Sequence, residues 1–189
     1  MTTIAAIETD TQVALAADKR INIGESNYKM IESKITKLSG WLYLANSGSG
    51  QLDTWISENP LKVKSQPLDG DAAVKLVRTW LSPWHQSLID SKVISPQSET
   101  ENPTGIFITK WWIGYLDSIG CISLLQRKAG DILVVTDGAG GDAAYGAITA
   151  ALKFDPSNTA EWYAKFGVQI SSEIFEHTGD GIDTAAFDK

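Results

Sequence analysis

The chain has 189 residues, 43% of them hydrophobic, and carries a formal net charge of −7. Seven tryptophans in a chain of this length predict one well-packed domain over residues 1–189 and exclude a disordered protein. An acidic chain without basic clusters is not expected to bind nucleic acid, and no apolar run reaches the ~18 residues of a membrane span. The single cysteine, Cys121, and the absence of a signal-peptide pattern predict a cytoplasmic protein.

Short strands, followed by two helices, are predicted for the first half of the chain. Segments rich in small and β-branched residues, or alternating polar with apolar, predict strands at 2–9, 12–18, 34–38 and 41–48. A helix is expected after Gly50, with Leu52, Trp55 and Ile56 on one face. A second helix is expected from about Asp71 until Pro83 interrupts it.

The second half repeats this order. A polar, proline-bearing stretch at 95–104 is interpreted as a loop within the domain. Three strands are predicted at 106–116, 121–126 and 131–135, then helices from about Asp142 to Lys153 and from about Ser157, and a last strand at 180–187. Helices outside two antiparallel sheets would give an α+β, four-layer αββα sandwich, one option among several for this order.

The first chemical signal is the position of Thr2, directly after Met1. Methionine is normally trimmed when the next side chain is small, and trimming would leave a hydroxyl and a free α-amine on one residue. A hydroxyl is a weak nucleophile that needs an adjacent base. An α-amine titrates near about 7.7–8.0, so part of it is neutral at cellular pH and can serve as that base.

Two charged residues extend this signal. Asp18 ends the second predicted strand, and Lys34 begins the third. A lysine beside the nucleophile would lower the pKa of the hydroxyl and of the amine, and an aspartate paired with it would hold the lysine charged. Each residue alone is typical of a turn or a solvated strand, so the weight lies on their combination with Thr2.

The same residues carry a resemblance to a known family. The chain resembles the proteasome β-subunit and HslV-like family, which are N-terminal-nucleophile hydrolases of the threonine peptidase type. The matching segments are Thr2-Thr3-Ile4, Ala17-Asp18, Lys34, Ser47-Gly48-Ser49-Gly50, Gly138-Ala139-Gly140-Gly141 and Thr178-Gly179-Asp180-Gly181. The resemblance covers nearly the whole chain, is weakest over 82–130, and implies the four-layer fold of that family.

The resemblance also implies roles for individual residues. Thr2 would attack the peptide carbonyl with its own amine as base, Lys34 would tune the amine, and Asp18 would hold Lys34. The N–H of Gly48 would be the oxyanion donor, or that of Ser49 if the register slips by one. Four residues would line the pocket for the side chain before the scissile bond: Ile21, Glu32, Asn46 and Gly50.

The chain departs from the family around the amine. Thr178 would match the family's hydroxyl there, but Ala139 stands where the family has a serine. The family also has a carboxylate in the hydrogen-bond network at the amine. Two alignments remain for its position: one places Glu173 there, and the other places Phe175 there. The polar character of Glu32 and Asn46 favours basic or polar side chains in the pocket.

No cofactor or metal is expected. His85 and His177 are too few and too far apart in the sequence to predict a metal site. The glycine turn at 138–141 lacks the lysine and hydroxyl residue that end a P-loop, and Asp142 would repel phosphate.

Three functions are compatible with these expectations. The first is a threonine-type peptidase acting on polypeptides. The family implies a homo-oligomer of stacked rings of roughly six or seven subunits, fed by an ATP-dependent unfoldase. The second is an inactive protein of the same fold, with a structural or assembly role, in a virion or other particle rather than free in the cytoplasm. Retention of Met1 and the alanine at 139 favour this alternative. A third, an amidohydrolase acting on a small amide, is left open.

Overall fold

The computed structural model describes residues 2–23, 26–29, 33–48, 50–63, 65–90, 103–118, 120–125, 127–175 and 178–189. Its strands are Thr3–Glu8 (β1), Gln12–Asp18 (β2), Arg20–Ile23 (β3), Ser26–Lys29 (β4), Ile35–Ser39 (β5), Leu42–Ser47 (β6), Thr104–Ile108 (β7), Ile113–Leu116 (β8), Ile122–Leu125 (β9), Leu133–Gly138 (β10) and Ile182–Asp188 (β11). Its helices are Gln51–Glu58 (α1), Gly70–Asp90 (α2), Gly141–Phe154 (α3) and Ala160–Ile174 (α4). None of the helices described is long and apolar enough to cross a membrane.

Two antiparallel sheets form the centre of the molecule. The four-stranded sheet has the order β10-β1-β2-β11, and the five-stranded sheet runs β5-β6-β7-β8-β9. A buried layer of apolar side chains, among them Ile4, Leu15, Ala45, Ile106 and Ile113, lies where the two sheets face each other. β3 and β4 form a separate hairpin, which the sequence analysis did not predict.

Helices cover the outer face of each sheet. On the four-stranded sheet, Ile7 and Ala16 pack in one cluster with Ile148 of α3 and with Tyr163 and Val168 of α4. On the five-stranded sheet, α1 and α2 supply the covering residues Leu52, Ile56, Val77, Leu81 and Trp84. The layers are therefore helix, sheet, sheet, helix, and the predicted α+β sandwich is confirmed.

Burial on both faces explains the composition of β1 and β2. Every residue of β1 is buried, as are all those of β2 after Gln12. The side chains of a strand alternate between its two faces, so Ile4 and Ala6 point between the sheets, while Ala5 and Ile7 point at α3 and α4. Thr2 shares its side of the strand with Ile4, which places it at the edge of the space between the sheets.

The predicted end of the second helix at Pro83 is wrong. α2 continues through Pro83 to Asp90. A proline inside a helix costs about 3 kcal/mol, but Leu81, Trp84 and Leu88 are buried in one cluster on both sides of it. Burying three large apolar side chains outweighs that cost, since each contributes roughly 1.5–3 kcal/mol.

The segment predicted as one strand at 106–116 is two. β7 and β8 pair as an antiparallel hairpin. The hydroxyl of Thr109 accepts hydrogen bonds from the main-chain N–H groups of Trp111 and Trp112, both over 3.1 Å, and so closes the turn. The turn places Trp112 in the core beside α2, where its indole N–H donates to the carbonyl of Gly70.

Candidate active site

Thr2 and Lys34 meet where the two sheets approach each other. Thr2 precedes β1 and Lys34 precedes β5, and the two residues are 9% and 8% exposed. The Nζ of Lys34 donates a hydrogen bond to the Oγ1 of Thr2 over 3.1 Å. The structure therefore brings the predicted nucleophile and the predicted cation into direct contact.

Lys34 has three acceptors around its Nζ. They are the Oγ1 of Thr2, the Oδ1 of Asp18 at 3.2 Å and the main-chain carbonyl of Arg20. An ammonium group has three N–H donors, so its hydrogen-bonding capacity is filled. Burial lowers the pKa of Lys34 below that of an exposed lysine, and the charge and hydrogen bond of Asp18 act in the opposite direction.

Asp18 is held by the main chain. It is fully buried. Its Oδ1 accepts from the N–H of Thr3 at 2.7 Å, and its Oδ2 accepts from the N–H groups of Arg20 at 3.0 Å and Gly179 at 3.1 Å. These donors come from the residue after Thr2, the start of β3 and the segment before β11. The carboxylate that anchors Lys34 therefore has a fixed orientation.

The glycine turn at 138–141 packs against the start of β1. Gly138 has a φ of +81°, and a Cβ there would lie 2.0 Å from the carbonyl oxygen of Thr2. A Cβ on Gly140 would lie 2.0 Å from the Oγ of Ser171 and 2.1 Å from the Oγ1 of Thr3. Close approach to Thr2 and to the start of β1 therefore explains both glycines.

Hydroxyl groups behind β1 form a network that the sequence analysis missed. The Oγ1 of Thr3 and the Oγ of Ser171 lie 2.9 Å apart, and Ser171 donates to the carbonyl of Gly140. The predicted hydroxyl of Thr178 is buried nearby, but it donates to the carbonyls of Ser171 and Phe175. Thr178 therefore ties the end of α4 to the loop that carries Gly179.

The side chains of the two residues predicted for the carboxylate position, Glu173 and Phe175, take no part in these contacts. Glu173 is exposed, and its carboxylate accepts from the side-chain amide of Gln169. Residues two positions apart point to different sides of a helix, so Glu173 points away when Ser171 faces Thr3. Phe175 caps the C-terminus of α4. Ala139 is exposed in the turn and brings no hydroxyl.

The predicted oxyanion donor lies at the end of β6. Gly48 follows Ser47 and has a φ of +88°, a left-handed conformation that favours glycine. Gly50 is the N-cap of α1. Ser49, the alternative donor, lies outside the described residues.

The predicted pocket residues are described in part. Ile21 lies in β3, paired with Tyr28, and its side chain is not described. Glu32 lies outside the described residues. Asn46 is buried in β6, and its amide donates to the Oδ2 of Asp53 over 3.1 Å. Burial raises the pKa of Asp53, and the hydrogen bond from Asn46 partly offsets this. Asp53, which the sequence analysis did not single out, is thus a carboxylate in contact with one of the predicted pocket residues.

A metal site requires several metal-binding side chains in one place. Within the described residues, no three His, Cys, Asp or Glu side chains are grouped so that they could hold a metal ion. His177 lies outside these residues, so the predicted absence of a metal stays a prediction. Cys121 is exposed before β9.

Solved structures share the fold of this chain, but no sequence family matches it. No family model and no curated protein matches the chain. Among solved structures, Thiobacillus denitrificans BPH in complex with epoxomicin has a TM-score of 0.77 at 19% identity, covering 98% of both chains. A second Thiobacillus denitrificans BPH structure has a TM-score of 0.76 at 20% identity, covering 98% of this chain and 97% of that one. Eukaryotic HslV from Trypanosoma brucei has a TM-score of 0.66 at 17% identity, covering 99% of both. The chain therefore has the fold of BPH and HslV over its whole length, as its resemblance to the HslV-like family predicted.

Proposed function

We propose that this chain is a threonine-type peptidase subunit whose nucleophile is Thr2, exposed by removal of Met1. The observation that carries the proposal is the 3.1 Å hydrogen bond from the buried Lys34 ammonium to the Thr2 hydroxyl. Burying a cation costs free energy unless it is paired, and a threonine in the core requires no neighbouring cation for folding. Nucleophilic catalysis requires such a cation, because a cation beside a hydroxyl favours the alkoxide.

The proposed reaction begins with the α-amine of Thr2 in its neutral form. This amine takes the hydroxyl proton while Oγ1 bonds to the peptide carbonyl carbon, and the carbonyl electrons move onto its oxygen. The N–H of Gly48 stabilises that oxyanion. The intermediate collapses as the α-ammonium protonates the leaving amine, which gives an ester on Thr2. Water, deprotonated by the same amine, then hydrolyses the ester.

Lys34 and Asp18 act in this scheme without exchanging protons with the substrate. The Lys34 ammonium stabilises negative charge on Oγ1 and lowers the pKa of the adjacent α-amine, which keeps more of the amine neutral. Asp18 aligns Lys34 through the 3.2 Å ion pair and aligns the main chain of Thr3 through its 2.7 Å hydrogen bond. One carboxylate therefore fixes both the cation and the strand that carries the nucleophile.

The substrate is proposed to be a polypeptide with a basic or polar residue before the scissile bond. Asn46 is one of the predicted pocket residues, and Asp53 lies against it. Asp53 is an exposed residue of α1, so a cationic side chain of the substrate can reach its carboxylate and is attracted by its charge. The amide of Asn46 provides a polar neighbour for the same group.

The assembly is proposed on the resemblance alone. We expect homo-oligomeric rings of roughly six or seven subunits, an ATP-dependent unfoldase as partner, and a cytoplasmic location. The epoxomicin named for the BPH structure is a suitable probe, because it occupies a protein of the same fold.

An inactive scaffold of the same fold is the second candidate. Ala139 favours it, because the position carries no hydroxyl to relay protons at the amine. A retained Met1 would favour it further, since the nitrogen of Thr2 would then be an amide and the hydroxyl would lack its base.

The deciding experiment is intact mass combined with peptide cleavage. A mass without methionine is expected, together with cleavage that epoxomicin inhibits. Thr2→Ala should abolish cleavage, and Thr11→Ala, at an exposed turn, should leave it unchanged. Methionine retained on all of the protein, or cleavage that survives Thr2→Ala, would contradict the peptidase and leave the scaffold.

A further inference from the structure

Four polar side chains join the two sheets beside the candidate site. Asp137 of β10 accepts hydrogen bonds from Ser47 at 2.9 Å and Thr104 at 2.7 Å on one oxygen, and from Tyr115 at 3.3 Å on the other. Ser47 and Thr104 also lie 2.7 Å apart. We call these four residues the Asp137 cluster. It has no part in the proton transfers proposed above.

A carboxylate between two sheets needs an explanation. The rest of the space between the sheets is lined by apolar side chains, including Ile4, Ala45 and Ile106. Apolar residues would hold the sheets together at no desolvation cost, and replacing buried polar groups with apolar ones of similar volume is often neutral or stabilising. What hydrogen bonds add over apolar contacts is a defined direction and distance. The cluster therefore points to a requirement for accurate placement.

The placement that the cluster achieves is that of Gly48 relative to Thr2. Asp137 pairs directly with Ile4, two residues from Thr2 on the same side of β1. Ser47 is the last residue of β6 and immediately precedes Gly48. The carboxylate thus spans from the sheet that carries the nucleophile to the strand that ends in the oxyanion donor.

We propose that Asp137 is a positioning residue: by holding the Ser47 hydroxyl, it fixes the peptide plane whose N–H at Gly48 meets the oxyanion. This inference rests on the proposed function. The N–H of Gly48 belongs to the peptide that Ser47 begins, so a rotation of Ser47 swings the donor. Functional groups must be held within about 0.5 Å of the productive geometry, and Gly48, with its positive φ, has no side chain of its own to hold it.

The charge of Asp137 fits this role. A bare carboxylate beside a developing oxyanion would oppose catalysis. Here the hydroxyl groups of Ser47, Thr104 and Tyr115 all lie within hydrogen-bond distance of it. Burial and the nearby charge of Asp137 raise the pKa of Tyr115, so this donor keeps its proton. The negative charge is thereby balanced by donors on three strands of the opposite sheet.

The test is the rate per active site, with sites counted by the burst of acyl-enzyme. Ser47→Ala removes the link and leaves Asp137 with two donors. We expect it to lower kcat by about 10-fold or more with little change in KM, because the oxyanion exists only after binding. Ser47→Thr keeps the hydroxyl and should restore most of the rate. Adding Asp137→Asn to Ser47→Ala should lower kcat by less than about 2-fold more, since both changes break one link.

Thr109→Val is the matched control for a purely structural role. It removes a buried hydroxyl from the other end of β7, and should lower stability while the rate per active site stays the same. If Ser47→Ala behaves like Thr109→Val, or if Ser47→Thr fails to restore the rate, the inference is overturned and the peptidase stands. An unmodified chain that cleaves no peptide would overturn both.

Discussion

The Nζ of Lys34 lies between the Oγ1 of Thr2 at 3.1 Å and the Oδ1 of Asp18 at 3.2 Å. Thr2 and Lys34 are 32 positions apart in the chain, and each directly precedes a strand of a different sheet. Lys34 therefore reaches from the five-stranded sheet to two residues on the side of the four-stranded sheet, the proposed nucleophile Thr2 and the counter-ion Asp18. Each of these three residues can be replaced separately.

Replacing Lys34 by Met should abolish peptide cleavage. The methionine fills similar volume but removes the charge that is proposed to stabilise the Thr2 alkoxide, so we expect kcat per folded molecule to fall by at least about 100-fold. Asp18 keeps its three main-chain donors, which favours a folded variant. Lys37→Met, at an exposed position of β5, is the matched control and should retain full activity. Equal loss in the two variants would show that Lys34 has no special role.

The pH profile of kcat/KM should be a bell. Activity should rise as the α-amine of Thr2 loses its proton, because only the neutral amine is a base. It should fall again as Lys34 loses its proton, at a pH below the 10.5 of an exposed lysine, since burial lowers the pKa of Lys34. Lys34→Arg cannot deprotonate, so any residual activity of this variant should lack the alkaline limb. If the alkaline limb persists in Lys34→Arg, a group other than Lys34 causes the loss of activity at high pH.

Substrate preference should depend on Asp53. Its carboxylate accepts from Asn46, and Asp53→Asn removes the charge at nearly constant volume. We expect kcat/KM for peptides with arginine before the scissile bond to fall by about 10-fold, and that for leucine peptides to change little. Asp71→Asn changes an exposed acid in the first turn of α2 and serves as the control. Equal changes in kcat/KM for arginine and leucine peptides would show that Asp53 does not contact the side chain before the scissile bond.

The contact between Thr2, Asp18 and Lys34 could be predicted because three spaced residues match one family pattern. The order of strands and helices left the four-layer sandwich as one option among several, and the resemblance to the HslV-like family selected it. The continuation of α2 through Pro83 could not be predicted, because it results from the burial of Trp84 and Leu88. This is a tertiary effect that outweighs local helix preference.

The hydroxyl networks were beyond the reach of sequence patterns. Thr3 and Ser171 are 168 positions apart, and a single serine on a helix carries no local signal. The Asp137 cluster draws its members from β6, β7, β8 and β10, so no segment contains more than one of them. Asp137 alone is typical of a turn residue before Gly138. Glycines at 138 and 140 were the available signal, since close approach of backbone is one reason for glycine in a turn.

Close packing at Gly140 gives the last prediction. Its φ of −96° suits any residue, so only the neighbours oppose a side chain there. In Gly140→Ala the new Cβ would meet the hydroxyls of Ser171 and Thr3 at 2.0 and 2.1 Å, and these groups would have to separate. We expect a loss of about 1–3 kcal/mol in the free energy of unfolding. A lower kcat should accompany it, because the main-chain N–H of Thr3 donates to Asp18 and Thr3 directly follows the proposed nucleophile.

Gly146→Ala is the matched control for this prediction. Gly146 lies in α3, and a Cβ there would have nothing within 4 Å. Alanine is the better helix former, so this variant should be more stable by about 0.5–1 kcal/mol, with unchanged kcat. Urea unfolding should show that the free energy of unfolding falls in Gly140→Ala and rises in Gly146→Ala, relative to the unmodified chain. A Gly140→Ala protein as stable and as active as the unmodified chain would mean that the turn does not pack against β1 as closely as described, and the geometry at Thr2 would need revision with it.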